Sequence, residues 1–303
     1  MRRLVFAVLL TLSATCVSAQ DVTPPGFKLA PLKTVTEATP AKELFGRKPA
    51  PAPLEARAIG SYAKGCLAGA EALPVDGATW QVMRLSRNRN WGAPELIDFL
   101  ERFAARVPQI SSWRGILVGD ISQPRGGPML TGHASHQIGL DADIWLTPMP
   151  DRTLSRQERE IISATNVVAA NRLDVDPARW TPDHLAVIRE AASSPLVHRI
   201  FVNPAIKKAI CREATGDRTW LTKVRPMWGH NFHFHVRLGC PSGMADCKDQ
   251  DAPPEGDGCG KDLAWWFSDE VLNPKKPAKP AKPKPPLVMA DLPAACRQVL
   301  VAE

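Results

Sequence analysis

The chain has 303 residues, 44% apolar and 23% charged, which excludes a fibrous or low-complexity protein and leaves room for a sizeable core. Its net charge is +7, but five lysines stand together in one segment (Lys275, Lys276, Lys279, Lys282 and Lys284). The rest is near neutral, and nucleic-acid binding is not expected.

In chain order, the first segment is MRRLVFAVLLTLSATCVSA, with Arg2 and Arg3 ahead of an apolar run and Val17-Ser18-Ala19 at its end. That is the pattern of a secretory signal peptide, residues 1–19, cleaved after Ala19; the run is too short for a permanent anchor. A periplasmic product with no integral membrane segment is expected. Once Cys16 leaves with the signal, Cys66, Cys211, Cys240, Cys247, Cys259 and Cys296 remain. An even number in an exported chain predicts three disulfides, with many pairings open at this point. No CxxC pair occurs, which argues against thiolate ligation of zinc.

Residues 20–58, rich in Pro, Ala, Lys and Glu, read as an extended N-terminal arm. Residues 59–272 hold the sustained apolar patterning and all the histidines, and form the expected domain. Residues 273–286, NPKKPAKPAKPKPP, read as a linker favouring polyproline II, and residues 287–303 as a tail tied back to the body through Cys296. Within the domain, 93–107 has helical spacing opened by Pro94 and Glu95, and 115–122 reads as a strand. Residues 124–132 are turn chemistry, and 141–146 a second strand. Helices are expected over 155–170, 182–193 and 204–213, and strands over 197–202 and 233–239. Helices and strands mix without a βαβ period, which predicts an α+β fold.

Five of the seven histidines fall in two short stretches, GHASHQIGLDAD (132–143) and WGHNFHFHVR (228–237). In a strand, His233 and His235 point to one face while Phe234 and Val236 point to the other. His230 precedes that strand and can lean over the same site. His136 and Asp143 are seven residues apart, and Gly139 lets the chain turn between them. A loop histidine, a strand aspartate and a strand histidine make a three-ligand site with an open position, the arrangement of a catalytic zinc.

The stretch from Ser135 to Asp143 resembles the SxHxxGxAxD pattern of the lysostaphin/D-Ala-D-Ala-metallopeptidase group. It departs in the serine, one place late, and in Asp141, which stands where the pattern has alanine. His233-Phe234-His235 resembles that group's HxH. The longer runs MRLSRNRNWG (83–92), residues 118–146, RIFVNPAIK (199–207), KVRPMWGHNFHFHVRLGCP (223–241) and GDGCG (256–260) resemble the penicillin-insensitive murein endopeptidases. The resemblance implies a small antiparallel sheet flanked by helices and stapled by Cys66–Cys296, Cys211–Cys259 and Cys240–Cys247. It implies zinc held by His136, Asp143 and His235, with His133 as an additional ligand. It gives His233 the role of general base and His230 that of holding substrate or stabilising the tetrahedral intermediate. The activity implied is hydrolysis of D-alanyl–meso-diaminopimelyl cross-links of peptidoglycan, insensitive to β-lactams. A D,D-carboxypeptidase trimming terminal D-Ala would use the same motifs.

Other polar residues divide by chemistry. Arg125, beside Gly126 and Gly127 ahead of the histidine loop, is expected to line the cleft and bind substrate. Arg84, Arg87 and Arg89 suit either a substrate carboxylate or structural ion pairs. Asp120 reads as a structural strand-end residue, and His184 and His198 as satisfied core or surface residues. A second metal position that the resemblance implies has no clear counterpart here; Asp174, Asp176 and the Asp183-His184 pair are only the nearby acidic groups.

Overall fold

The structure, a computed structural model, describes Leu32, residues 34–274 and residues 284–303. The signal segment 1–19 and residues 275–283 of the Lys/Pro segment lie outside the described residues. Two small antiparallel ribbons pair β1 (Arg57–Ser61) with β2 (Lys64–Ala68) and β3 (Glu71–Ala72) with β5 (Trp91–Gly92). The main sheet has six strands in the order β4 (Trp80–Val82), β6 (Ile116–Val118), β7 (Asp141–Pro148), β10 (His233–Leu238), β8 (Val197–Val202) and β9 (Val224–Pro226). Its four middle strands are antiparallel, whereas the edge strands β4 and β9 join in parallel. The class is α+β, with mixed pairing only at the sheet's edges.

Alternation decides which face of the sheet does what. Ala142 and Ile144 on β7, and Phe234 and Val236 on β10, are fully buried and pack in one core with helix α2 (Pro94–Ile110) and helix α4 (Pro182–Ser193). Pro94 at the first turn and Glu95 beside it open α2, and its buried stripe includes Leu96, Leu100 and Phe103. Burial of each such side chain contributes roughly 1.5–3 kcal/mol. The opposite face of β7 and β10 carries Asp141, Asp143, His233, His235 and Arg237.

The helix expected over 155–170 is a single short element, α3 (Arg156–Ile161). Ser155 and Glu158 form a capping box at its start, but Ile162 is already extended. Arg84 takes the end of the helix by donating to the carbonyls of Arg159, Glu160 and Ile162. Beyond it, the Thr165 backbone N–H donates to the hydroxyl of distant Thr147, and the Asn166 side chain accepts from the Val168 N–H, the local competition with helix that such side chains offer. The expected strand 115–122 is regular only over β6; afterwards Ile121 and Ser122 pair with Arg89 and Trp91 instead.

A second core joins the first and last described parts of the chain. Helix α1 (Ala41–Phe45), within the segment read as an extended arm, packs with β1, β2 and helix α8 (Ala295–Val301). Cys66–Cys296 crosses this core, Cys211–Cys259 ties helix α5 (Pro204–Glu213) to the loop before α6 (Lys261–Trp265), and Cys240–Cys247 closes a small loop. The last helix before the Lys/Pro segment is α7 (Asp269–Leu272). Among the described residues no helix is long and apolar enough to cross a membrane.

Candidate metal centre and catalytic cleft

The centre sits where β7 and β10 pair. The register sets His235 opposite Asp143, His233 opposite Trp145 and Arg237 opposite Asp141. The loop before β7 delivers His133 and His136. Its turn depends on Gly139, at φ 70°, where a Cβ would lie 2.4 Å from Leu67 and 2.9 Å from the Ala93 nitrogen. His136 and His230 themselves hold φ of 66° and 53°, backbone states uncommon outside glycine and concentrated at functional positions.

Asp143 is the hub. Its Oδ1 lies 3.2 Å from Nδ1 of His235 and 3.5 Å from Nε2 of both His136 and His233, and its Oδ2 lies 3.5 Å from Nε2 of His133. Burial opposes its ionisation, but the ring of histidines, His233 foremost, holds the carboxyl well below the usual carboxylate range. His133, His136 and Asp143 bring one ligand atom each within 4.8 Å of one another, the one such cluster among the described residues.

Two buried atoms test whether a metal fits. Nε2 of His136 and Oδ1 of Asp143 face each other, both are shielded from solvent, and neither makes a hydrogen bond. Leaving buried lone pairs unmet is unfavourable by about 1–3 kcal/mol each, and a cation between them removes the deficit. The ring orientations agree. Nδ1 of His136 lies 2.6 Å from the Ile121 carbonyl, which keeps the proton there and frees Nε2. Nε2 of His235 lies 3.0 Å from Oδ1 of Asp141, which frees Nδ1 toward Asp143. Fixing the outer nitrogen of a histidine this way is how proteins orient metal ligands. A nitrogen and carboxylate donor set suits a borderline divalent cation such as zinc.

Asp141 is the functional residue that spacing did not single out. Its fully buried carboxylate meets His235, the guanidinium of Arg237 at 2.8 and 3.1 Å, and the backbone nitrogen of His136 at 2.9 Å. Burial disfavours charging of His235, yet Asp141 and then Asp143 push its pKa up to about 9. The signal for Asp141 was present in the alternation Asp141-x-Asp143, one face of one strand.

The remaining histidines differ in their tuning. Burial, reinforced by His233, lowers His230 to about 4, and burial also lowers His233, so both are neutral near pH 7. Burial opposes charging of His133, but Asp120 and Asp143 raise it above its ordinary value. Asp120, a buried carboxylate, accepts from Arg89 at 2.8 Å, Arg87 at 3.0 Å and His133 at 3.0 Å.

The cleft assignment for Arg125 is corrected. Its buried guanidinium donates to the carbonyls of Ala50, Val299 and Leu300, so it clamps the segment after α1 to α8. The candidates for a second metal position do not converge. Asp174 pairs with Arg212 and Lys208, Asp176 accepts from Ala178, Asp183 accepts from Ser112, and His184 uses both ring nitrogens, on Thr181 and Leu146.

An α+β fold that presents a histidine–aspartate centre to an open cleft suits a metal-assisted hydrolase, and comparison with known proteins makes it a peptidase. The chain belongs to the penicillin-insensitive murein endopeptidase family, whose sequence model matches residues 58–301. It is 47% identical to the penicillin-insensitive murein endopeptidase of Yersinia enterocolitica over 211 residues, covering 70% of this chain and 76% of that protein. It is 46% identical over 248 residues to that of Haemophilus influenzae (81% and 83% covered) and 44% over 246 residues to that of Pectobacterium atrosepticum (80% and 84%). The family match runs through the tail to α8, in keeping with the tail's place in the second core.

Proposed function

We propose that this protein is a zinc-dependent, periplasmic murein endopeptidase that hydrolyses D-alanyl–meso-diaminopimelyl cross-links of peptidoglycan and is insensitive to β-lactams. The observation that carries the reading is the facing pair of buried, unbonded atoms, Nε2 of His136 and Oδ1 of Asp143, at a cleft that Asp143 lines. His136, Asp143 and His235 would hold the metal, with His133 as an additional ligand. A zinc ion held there supplies Lewis acidity that polarises an amide carbonyl and acidifies water.

The chain's own groups supply the rest. Neutral His233, its Nε2 turned toward the hub, accepts a proton from the attacking water and returns it to the leaving amine. His230 directs Nδ1 at the Trp228 carbonyl, 2.8 Å away, so its Nε2 is a proton acceptor at neutral pH. That suits it to hold a substrate N–H rather than to donate to an oxyanion. Oγ of Ser122 is buried without a hydrogen-bond partner, so it lacks a histidine base for an acyl-serine route, which supports insensitivity to β-lactams.

The test is incubation with cross-linked muropeptide dimers, with and without chelator and with penicillin throughout, read by mass spectrometry. Dimer converted to monomers, blocked by chelator, restored by zinc and indifferent to penicillin is expected. Intact dimer with zinc bound would overturn the activity. Release of free D-Ala from a pentapeptide in its place would favour the carboxypeptidase.

A further inference from the structure

The cleft above the histidines has a volume of about 300 Å³. His233 and His133 line its floor, Trp145 and Phe232 form apolar walls, and Arg84 and Arg87 stand along one side. Three arginines cluster on that side, and their contacts separate them. Arg84 is held by the three carbonyls at the end of α3, which take both of its terminal nitrogens. Arg89, with a side chain only 8% exposed, is held by Asp120 and Thr131. Arg87 is 47% exposed, and the one bond its side chain makes among the described residues runs from Nη1 to Asp120, at 3.0 Å.

The charges around Asp120 do not balance. One buried carboxylate serves two guanidiniums, so Asp120 alone does not neutralise both Arg87 and Arg89. The rest of the Arg87 fork is free, and a planar guanidinium edge fits a carboxylate with two parallel hydrogen bonds. A neutral side chain would satisfy neither the charge nor the fork.

We propose that Arg87 is a specificity-determining residue that binds a substrate carboxylate next to the scissile amide. The inference rests on the proposed function. In the cross-link named there, the amide nitrogen is attached to a carbon that also bears a free carboxylate. With that amide at His233, this carboxylate lies within the same cleft as the guanidinium. An amidated carboxyl would meet the arginine without charge and with a donor where an acceptor is needed.

The experiment compares two dimers, one with the free carboxyl beside the cross-link and one with that carboxyl amidated, on the zinc-loaded parent and on Arg87→Gln and Arg87→Lys. A charge-assisted bidentate contact predicts that the parent prefers the free acid by about 10- to 100-fold in kcat/KM. Arg87→Gln should bring the ratio close to one, and Arg87→Lys should restore part of it. Calorimetric binding of the same dimers to metal-free protein should show the same preference, which keeps the test valid if neither dimer is cleaved. Cleavage of neither with the binding preference intact would sink the endopeptidase reading and leave Arg87 as an anion site. Equal handling of both dimers by the parent, or an equal loss on both in Arg87→Gln, would overturn the proposal.

Discussion

Replacing Asp141 by asparagine isolates the role of the inner carboxylate. The change keeps the shape of the side chain and removes one acceptor and one charge. Four donors converge on this carboxylate: Nε2 of His235, two nitrogens of Arg237 and the backbone nitrogen of His136. With an amide NH2 in place of one oxygen, at least one buried donor faces another. Breaking a buried pair outright costs about 3–5 kcal/mol, and the surviving oxygen recovers part of that, so a loss of roughly 3 kcal/mol in stability is expected. Without the carboxylate behind it, His235 is also free to turn, and loss of such a partner weakens metal binding about 10- to 100-fold. Urea unfolding of metal-free protein reads the first effect, and competition with a fluorescent chelator reads the second. Stability within about 0.5 kcal/mol of the parent, together with unaltered zinc affinity, would refute the assignment of Asp141 as the residue that orients His235.

Four further outcomes follow from the same contacts. His235→Ala should lose both metal and turnover, whereas His233→Ala should retain most metal, counted by atomic absorption, and lose turnover; near-normal turnover in the latter would remove His233 as the base. Arg125→Met should leave KM for the dimer as in the parent but expose the chain ends to limited proteolysis, and a raised KM would return Arg125 to the cleft. Burial, aided by Arg225, lowers the buried Lys207 to about 7, so the unfolded chain binds the extra proton between that pH and the ordinary lysine value, and stability should rise with pH across this window; Lys207→Met should flatten the rise in unfolding free energy. Removing Cys66–Cys296, which spans 230 residues, should lower unfolding free energy by about 5 kcal/mol if chain entropy dominates, and a loss below about 1 kcal/mol would show that the second core holds the tail unaided.

The sequence was most legible where local period and tertiary role coincide. The His233-x-His235 alternation and the helical stripe of α2 each follow from one element's geometry, so their buried and polar faces could be read directly. Asp141 was legible only as a strand residue, because its task depends on the β7–β10 register that brings Arg237 opposite it. Arg125 misled because its acceptors are carbonyls 75 residues before it and 174 and 175 after it, which no local pattern records. The helix expected over 155–170 failed for a related reason: Arg84, 75 to 78 residues away, takes the carbonyls at the end of α3.

The second core has a topological consequence. Pro40 pairs with Val288, Glu37 meets Arg297, and Cys66 is bonded to Cys296, so the first and last described parts of the chain are neighbours. The polypeptide is thus closed into a covalent ring that includes the lysine-rich segment. A single peptide-bond break between Lys275 and Lys284 opens that ring without dividing the molecule, since the severed end is still joined at Cys66. The nicked protein keeps α8, and with it the clamp on Arg125.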